Sequence, residues 1–146
     1  MTPLLLKVVV VGRMKDKHLA AKCDEYIKRL GAYAKLELVE IKDSEIQDEA
    51  RKLMRCIDPA RELVIALGEE GRSATSREFA ELLRGAERRV TLVIGGAYGL
   101  ADEVKTASGL LLSLSPMTFT HEMARMLLLE QLYRAASIIN NSGYHH

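Results

Sequence analysis

Five short apolar runs alternate with stretches of helical periodicity along this chain, and that alternation restricts the possible folds more than any other feature. Leu4–Val11 is a β-branched run ending at Gly12, the signature of a strand buried on both faces. Residues 15–30 carry Leu19, Cys23, Tyr26, Ile27 and Leu30 at helical spacing, with Gly31 placed to close the helix. Residues 35–41 alternate charged and apolar side chains as a half-buried strand does. Ser44 and Gln47 can form a capping box for a helix to about residue 57, where Pro59 stops it. Residues 63–67 form the third expected strand, and Thr75 with Glu78 opens another helix. Val90–Ile94 is the fourth, followed by a short helix over 101–107, a fifth strand over 110–114 and a long helix from about Thr120. Such regular alternation predicts an α/β fold: an open, mainly parallel sheet flanked by helices on both faces.

The rest of the composition narrows the partners. With 146 residues, residues 1–146 are expected to form one domain with a real core. No apolar run reaches the roughly 18–20 residues that a membrane span needs. The amino terminus lacks a signal-peptide pattern, because Lys7 and the following valines leave no proper apolar region or cleavage site. Cys23 and Cys56 are too few and too far apart for a disulfide framework or a zinc knuckle. A cytoplasmic setting, no membrane and no metal are therefore expected. A net charge of +1 requires any contact with nucleic acid to be local.

Ligands of open α/β sheets bind beyond the carboxyl ends of the strands. Three strand ends here carry unusual loops: Gly68 to Arg72, Gly95 to Leu100, and Ser113 to Phe119. Glycines allow tight turns and close approach of the backbone to a ligand. Any one of these loops alone reads as a tight turn, whereas three at one edge make a small-molecule pocket the better reading. Dinucleotide chemistry fits poorly, since Gly95-Gly96-Ala97-Tyr98-Gly99 lacks the required spacing and follows the fourth strand. The helix after the third loop is apolar on nearly every side, including Met123, Met126, Leu127, Leu128, Leu129 and Leu132. A surface helix needs only one apolar stripe. Packing by its own sheet and by a second subunit is expected, with Leu128 and Leu129 at the interface.

Several blocks together resemble the RlmH (YbeA-like) methyltransferases of the SPOUT, or trefoil-knot, class. They are Lys28-Arg29-Leu30, Ile94-Gly95-Gly96-Ala97, Leu112-Ser113-Leu114-Ser115 with Met117-Thr118-Phe119 and His121, Glu130-Gln131 with Tyr133-Arg134-Ala135, and Tyr144-His145. The likeness runs in order through essentially the whole chain. It departs from the family's pattern at Gly68, at Thr120, at Glu122 (where glutamine is common) and over residues 140–143. The resemblance implies a homodimer with a carboxyl-terminal trefoil knot. It also implies S-adenosylmethionine-dependent methylation of 23S ribosomal RNA at N3 of a pseudouridine, on the assembled ribosome. Cofactor contacts carried over from the family fall on Leu67, Gly95, Leu114, Ser115, Pro116, Met117, Thr118 and Phe119, the loops already singled out on backbone grounds.

Methylating an imide-like N–H calls for a general base or an anion-stabilising donor. The candidates are Tyr144 and His145 in the tail and Arg134 on the long helix, with His146 and Arg125 beside them. His121 suits helix stabilisation as well as catalysis, and Glu130 with Arg134 has the favourable order for an i,i+4 ion pair. Arg13, Lys15, Lys17 and His18 lie just past the first strand, on the same edge as the loops, where RNA phosphate would meet them. Lys22, Lys28 and Arg29 fit a solvated helix face equally well. Two rivals remain at this point: a flavodoxin-like nucleotide-binding module, and a ribosome-associated factor that kept the knot and lost catalysis.

Overall fold

The computed structural model describes residues 2–146. Five parallel strands, β1 (Leu4–Val11), β2 (Ala34–Ile41), β3 (Leu63–Ser73), β4 (Val90–Ile94) and β5 (Leu110–Ser113), form one sheet in the order β2-β1-β4-β3-β5. The strands alternate with α1 (Lys17–Leu30), α2 (Ile46–Cys56), α3 (Ser76–Gly85), α4 (Asp102–Ala107) and α5 (His121–Ile139). A parallel sheet is covered on both faces, and the period of two along β1 sorts its valines accordingly. Val8 and Val10 face the core under α1, α3 and α5, whereas Val9 and Val11 face the core under α2 and α4. All four are essentially inaccessible to solvent.

Local chemistry explains most of the helix boundaries. Asp16 caps α1 by accepting bonds from the His18 and Leu19 amides, so the helix begins at Lys17, two residues later than the periodicity suggests. Thr75 and Glu78 form the expected reciprocal capping box. Ser44 and Gln47 do not. The Ser44 amide donates instead to the carboxylate of Glu49 at 2.8 Å, and Glu45 takes the cap position. Gly31 does follow α1, but with φ −56° it continues in a right-handed turn and uses none of glycine's freedom.

The third strand departs furthest from expectation. It runs on to Ser73, with the glycine loop folded into it as a bulge: Leu67 and Arg72 are both registered against Leu112. Residues 68–71 are thus looped out of the ladder. Gly71 is required there, because a Cβ would lie 2.7 Å from the Leu111 carbonyl oxygen. Cys56 is only half-buried, and its carbonyl accepts from Lys7 Nζ at 2.6 Å.

Helix α5 lies over the sheet among the same apolar residues as α1 and α3. Leu128, Leu129, Leu132, Ala135 and Ala136 have no accessible surface within the single chain. Leu128 and Leu129 are therefore core positions and not interface ones. The helix is apolar all round because its own chain buries more than one side of it. Leu128→Ala should lower the unfolding free energy by about 2–5 kcal/mol. Denaturant titration would show this as a lower midpoint at constant slope. An unchanged midpoint accompanied by loss of a dimer would return the residue to an interface.

Candidate functional site

Because every strand is parallel, β3, β4 and β5 end on one edge, and their loops enclose a cleft of about 390 Å³. Leu67, Gly95, Leu114, Ser115, Met117, Thr118 and Phe119 line it, together with Glu69, Glu70, Leu100 and His121. Pro116 does not line it. Pro116 sits exposed at the apex of a turn in which Ser115 Oγ accepts the Met117 amide at 3.0 Å, so its part is to shape the loop. The need for glycine at position 95 is internal. A Cβ there would lie 2.5 Å from the Gly99 carbonyl group, within a tight turn whose Gly99 amide donates to Gly96 O at 3.0 Å.

The cleft carries a definite electrostatic pattern. Lys105 Nζ bonds Glu70 at 2.6 Å and, chiefly by that bond, holds its carboxyl below the usual range. Glu69 accepts from Thr118 Oγ1 at 2.5 Å, tying the β3 bulge to the 114–119 turn. Tyr98, Met117 and Phe119 place exposed apolar surface at the rim. A second hollow of about 270 Å³ shares Leu114 and Phe119 with the cleft and extends along α5 to Gln131.

The tail candidates form a cluster of their own. After Asn141 (φ 54°) and Gly143 (φ 84°) the chain turns back along α5, and the Tyr144 amide donates to Ser137 Oγ at 3.2 Å. Glu130 is the hub. Its Oε1 accepts from Arg134 at 3.0 and 2.5 Å and from the Tyr144 hydroxyl at 3.2 Å. The Arg134 guanidinium stacks 4.8 Å from the Tyr144 ring centroid. Hydrogen bonding to Tyr26, burial and the Glu130 charge push the Tyr144 phenol well above its ordinary range, so it stays protonated. Arg134 Nη1 lies 3.0 Å from His145 Nδ1. Guanidinium only donates, so Nδ1 accepts and the imidazole is neutral there. Partial burial, followed by the charges of Arg77 and Arg134, lowers its pKa.

Other candidates are placed elsewhere. Arg125 is buried and pairs with Glu40 at 2.6 Å, a structural role away from the cleft lining. His146, Arg13, Lys15, Lys17 and His18 are exposed. Lys22 and Arg29 both bond Glu25, at 3.0 and 2.6 Å, as a solvated helix face does. Sequence reasoning missed Glu69, Tyr26 and the hub role of Glu130, because each acts on a residue distant in sequence or on the tail. None of Tyr144, His145 and Arg134 lines the cleft. From His121 to Arg134 the α5 axis advances about 20 Å. Among the described residues no group of His, Cys, Asp and Glu could hold a metal ion, and no helix is long and apolar enough to cross a membrane.

Residues 4–145 match the family model described as "Predicted SPOUT methyltransferase". Curated relatives include a "Ribosomal RNA large subunit methyltransferase H" of Maridesulfovibrio salexigens, 42% identical over 153 residues and covering 97% of each chain. A protein of the same name from Synechococcus sp. is 44% identical over 144 residues, covering 98% of this chain and 95% of the relative. Among solved structures, a probable methylase family protein from Haemophilus influenzae matches with TM-score 0.58 at 18% identity, over 97% of this chain and 70% of that one. A probable methyltransferase from Bordetella pertussis matches with TM-score 0.59 at 14% identity, over 90% and 93%. These two structural likenesses concern the fold.

The packing of the tail is open to a direct check. Protonation of His145 opposes its place beside Arg134 and Arg77, so docking should be complete above the ordinary histidine pKa and weaken as pH falls through it. An NMR titration should give His145 a midpoint below 6.5, the ordinary value. A midpoint at or above that value would mean that the tail is not held against Arg134.

Proposed function

The chain belongs to the SPOUT methyltransferase family, and on that footing we propose that it transfers the methyl group of S-adenosylmethionine to large-subunit ribosomal RNA. The full proposal is a cytoplasmic homodimer with a trefoil knot, acting on the assembled ribosome at N3 of a pseudouridine in 23S RNA. The observation that carries it is the cleft formed by Leu67, Gly95 and the 114–119 turn. Its volume lies in the range of small-molecule sites.

The residues present suit this cofactor. Leu67, Leu100 and Leu114 offer apolar wall for the adenine ring, and the glycine-rich turn and the 114–119 loop offer backbone groups. With Glu70 neutralised by Lys105, Glu69 is the carboxylate left to complement positive charge on the ligand. When bound, S-adenosylmethionine supplies an activated methyl on a sulfonium, so the protein's task is alignment, exclusion of water and proton handling.

Roles in the tail follow from protonation. The neutral His145 is the base for the acceptor N–H, taking the proton at Nδ1 once Arg134 swings from that nitrogen to the forming anion, because Nε2 already carries the ring proton. The protonated Tyr144 can only donate or position. Arg134 stabilises the anion that forms. These groups do not line the cleft of their own chain, so a twofold partner must bring its tail to the cleft, and the hollow leading to Gln131 offers space for the acceptor.

The test is methyl transfer from labelled S-adenosylmethionine to ribosomes lacking the modification. Deleting residues 143–146 should leave cofactor affinity unchanged and slow transfer by about 10²–10⁴-fold. Mixing that variant with a Gly95→Val subunit, whose turn cannot close over Gly95, should restore part of the activity. A tail-deleted protein working at wild-type rate would remove His145 and Tyr144 from the chemistry. Recovery in no mixture would place each site within one subunit.

A further inference from the structure

One contact joins the cofactor cleft to the basic loop after β1. Glu122, in the first turn of α5, accepts the amides of both Lys15 and Asp16 on one oxygen, each at 2.9 Å. Those two bonds, that from Asp16 first, hold its carboxyl below the usual range. The residue before it, His121, lines the cleft, and its imidazole lies flush against Gly12: a Cβ on Gly12 would sit 3.1 Å from Nε2. Gly12 has φ +89°, a conformation that L side chains rarely adopt, so the chain turns sharply where β1 ends. The segment held in this way presents Arg13, Lys15, Lys17 and His18 to solvent. A loop tied at its backbone keeps its charges at a set position relative to the cleft. An untied loop would have to order when RNA binds, which weakens binding.

We infer that Glu122 is a positioning residue for the RNA substrate: it fixes the Arg13–Lys17 segment so that its cations meet backbone phosphates beside the cleft. This rests on the methyltransferase reading above. The competing account is that Glu122 merely stabilises the start of α5 through the helix dipole. That account predicts damage to the cleft through His121, and therefore to cofactor affinity.

Four proteins separate the accounts: Glu122→Ala, Glu122→Gln, Arg13→Ala with Lys15→Ala, and that double variant with Glu122→Ala added. The ribosome KM of Glu122→Ala should rise about tenfold, the scale of one or two lost phosphate contacts, with a shallower salt dependence. Its kcat and its Kd for S-adenosylmethionine should stay within about twofold of wild type, and amide exchange at Lys15 and Asp16 should accelerate. Glutamine keeps an acceptor oxygen, so Glu122→Gln should recover most of the KM. Adding Glu122→Ala to the Arg13/Lys15 variant should raise KM no further, since both act through the same cations. An unchanged KM, a loss of cofactor affinity parallel to that of RNA, full additivity, or failure of Glu122→Ala to fold would each overturn the inference. A wild-type protein that transfers no methyl group would overturn the methyltransferase reading as well, a failure distinguishable from the others by that control.

Discussion

A parallel sheet contains no hairpins. Each strand must be followed by a crossover that returns the chain to the starting edge, so all five strands here present their carboxyl ends together. Everything functional in the molecule depends on that constraint. The crossovers must cover both faces, which is why β1 is a run of valines and α5 has apolar residues on more than one side. The convergence of strand ends brings Leu67, Gly95 and Leu114 to one cleft although they are far apart in sequence. The β3 bulge contributes Glu69 and Glu70, and the 114–119 turn closes against it through Thr118.

A second polar system sits along α5, and its chemistry differs from that of the cleft. Glu130 gathers a guanidinium and a phenol on one oxygen, and the guanidinium in turn faces an imidazole nitrogen. Hydrogen bonding to Tyr26, burial and the Glu130 charge keep Tyr144 protonated, whereas partial burial and the charges of Arg77 and Arg134 lower the His145 pKa against the opposing pull of Glu130. Cleft and cluster lie on the same helix, yet helical rise keeps Arg134 about 20 Å along the axis from His121. On the proposed reading, the methyl donor in the cleft meets the tail of a second copy of the chain across a twofold axis.

Much of this was legible in the residues. The five strands, the Thr75–Glu78 capping box and the places of the three strand-end loops follow from period, propensity and turn chemistry, which are local. What was not legible is competition between distant groups. Ser44 and Gln47 satisfy the capping-box pattern, but the Glu49 carboxylate reaches the Ser44 amide first. Gly68 to Arg72 reads as a loop, and only pairing with β5 shows it to be a bulge within a longer strand. The apolarity of α5 suggested an interface at Leu128 and Leu129, because a sequence does not reveal how many neighbours a helix has in its own chain. Glu122 reads as an ordinary first-turn acid until its two amide partners on the β1–α1 loop are seen. The positions proposed for cofactor contact came from strand-end logic and from family resemblance, and all but Pro116 line the cleft. Pro116 stands apart, on the outer side of its turn.

The most direct test of the account is a crystal structure of the protein grown with S-adenosylmethionine. The account predicts the ligand between Leu67, Gly95 and the 114–119 turn, its sulfur facing the mouth of the cleft, with the carboxyl-terminal tail of a twofold-related copy at that mouth. A ligand bound elsewhere would contradict it. So would a cleft whose acceptor side is completed by its own chain's tail.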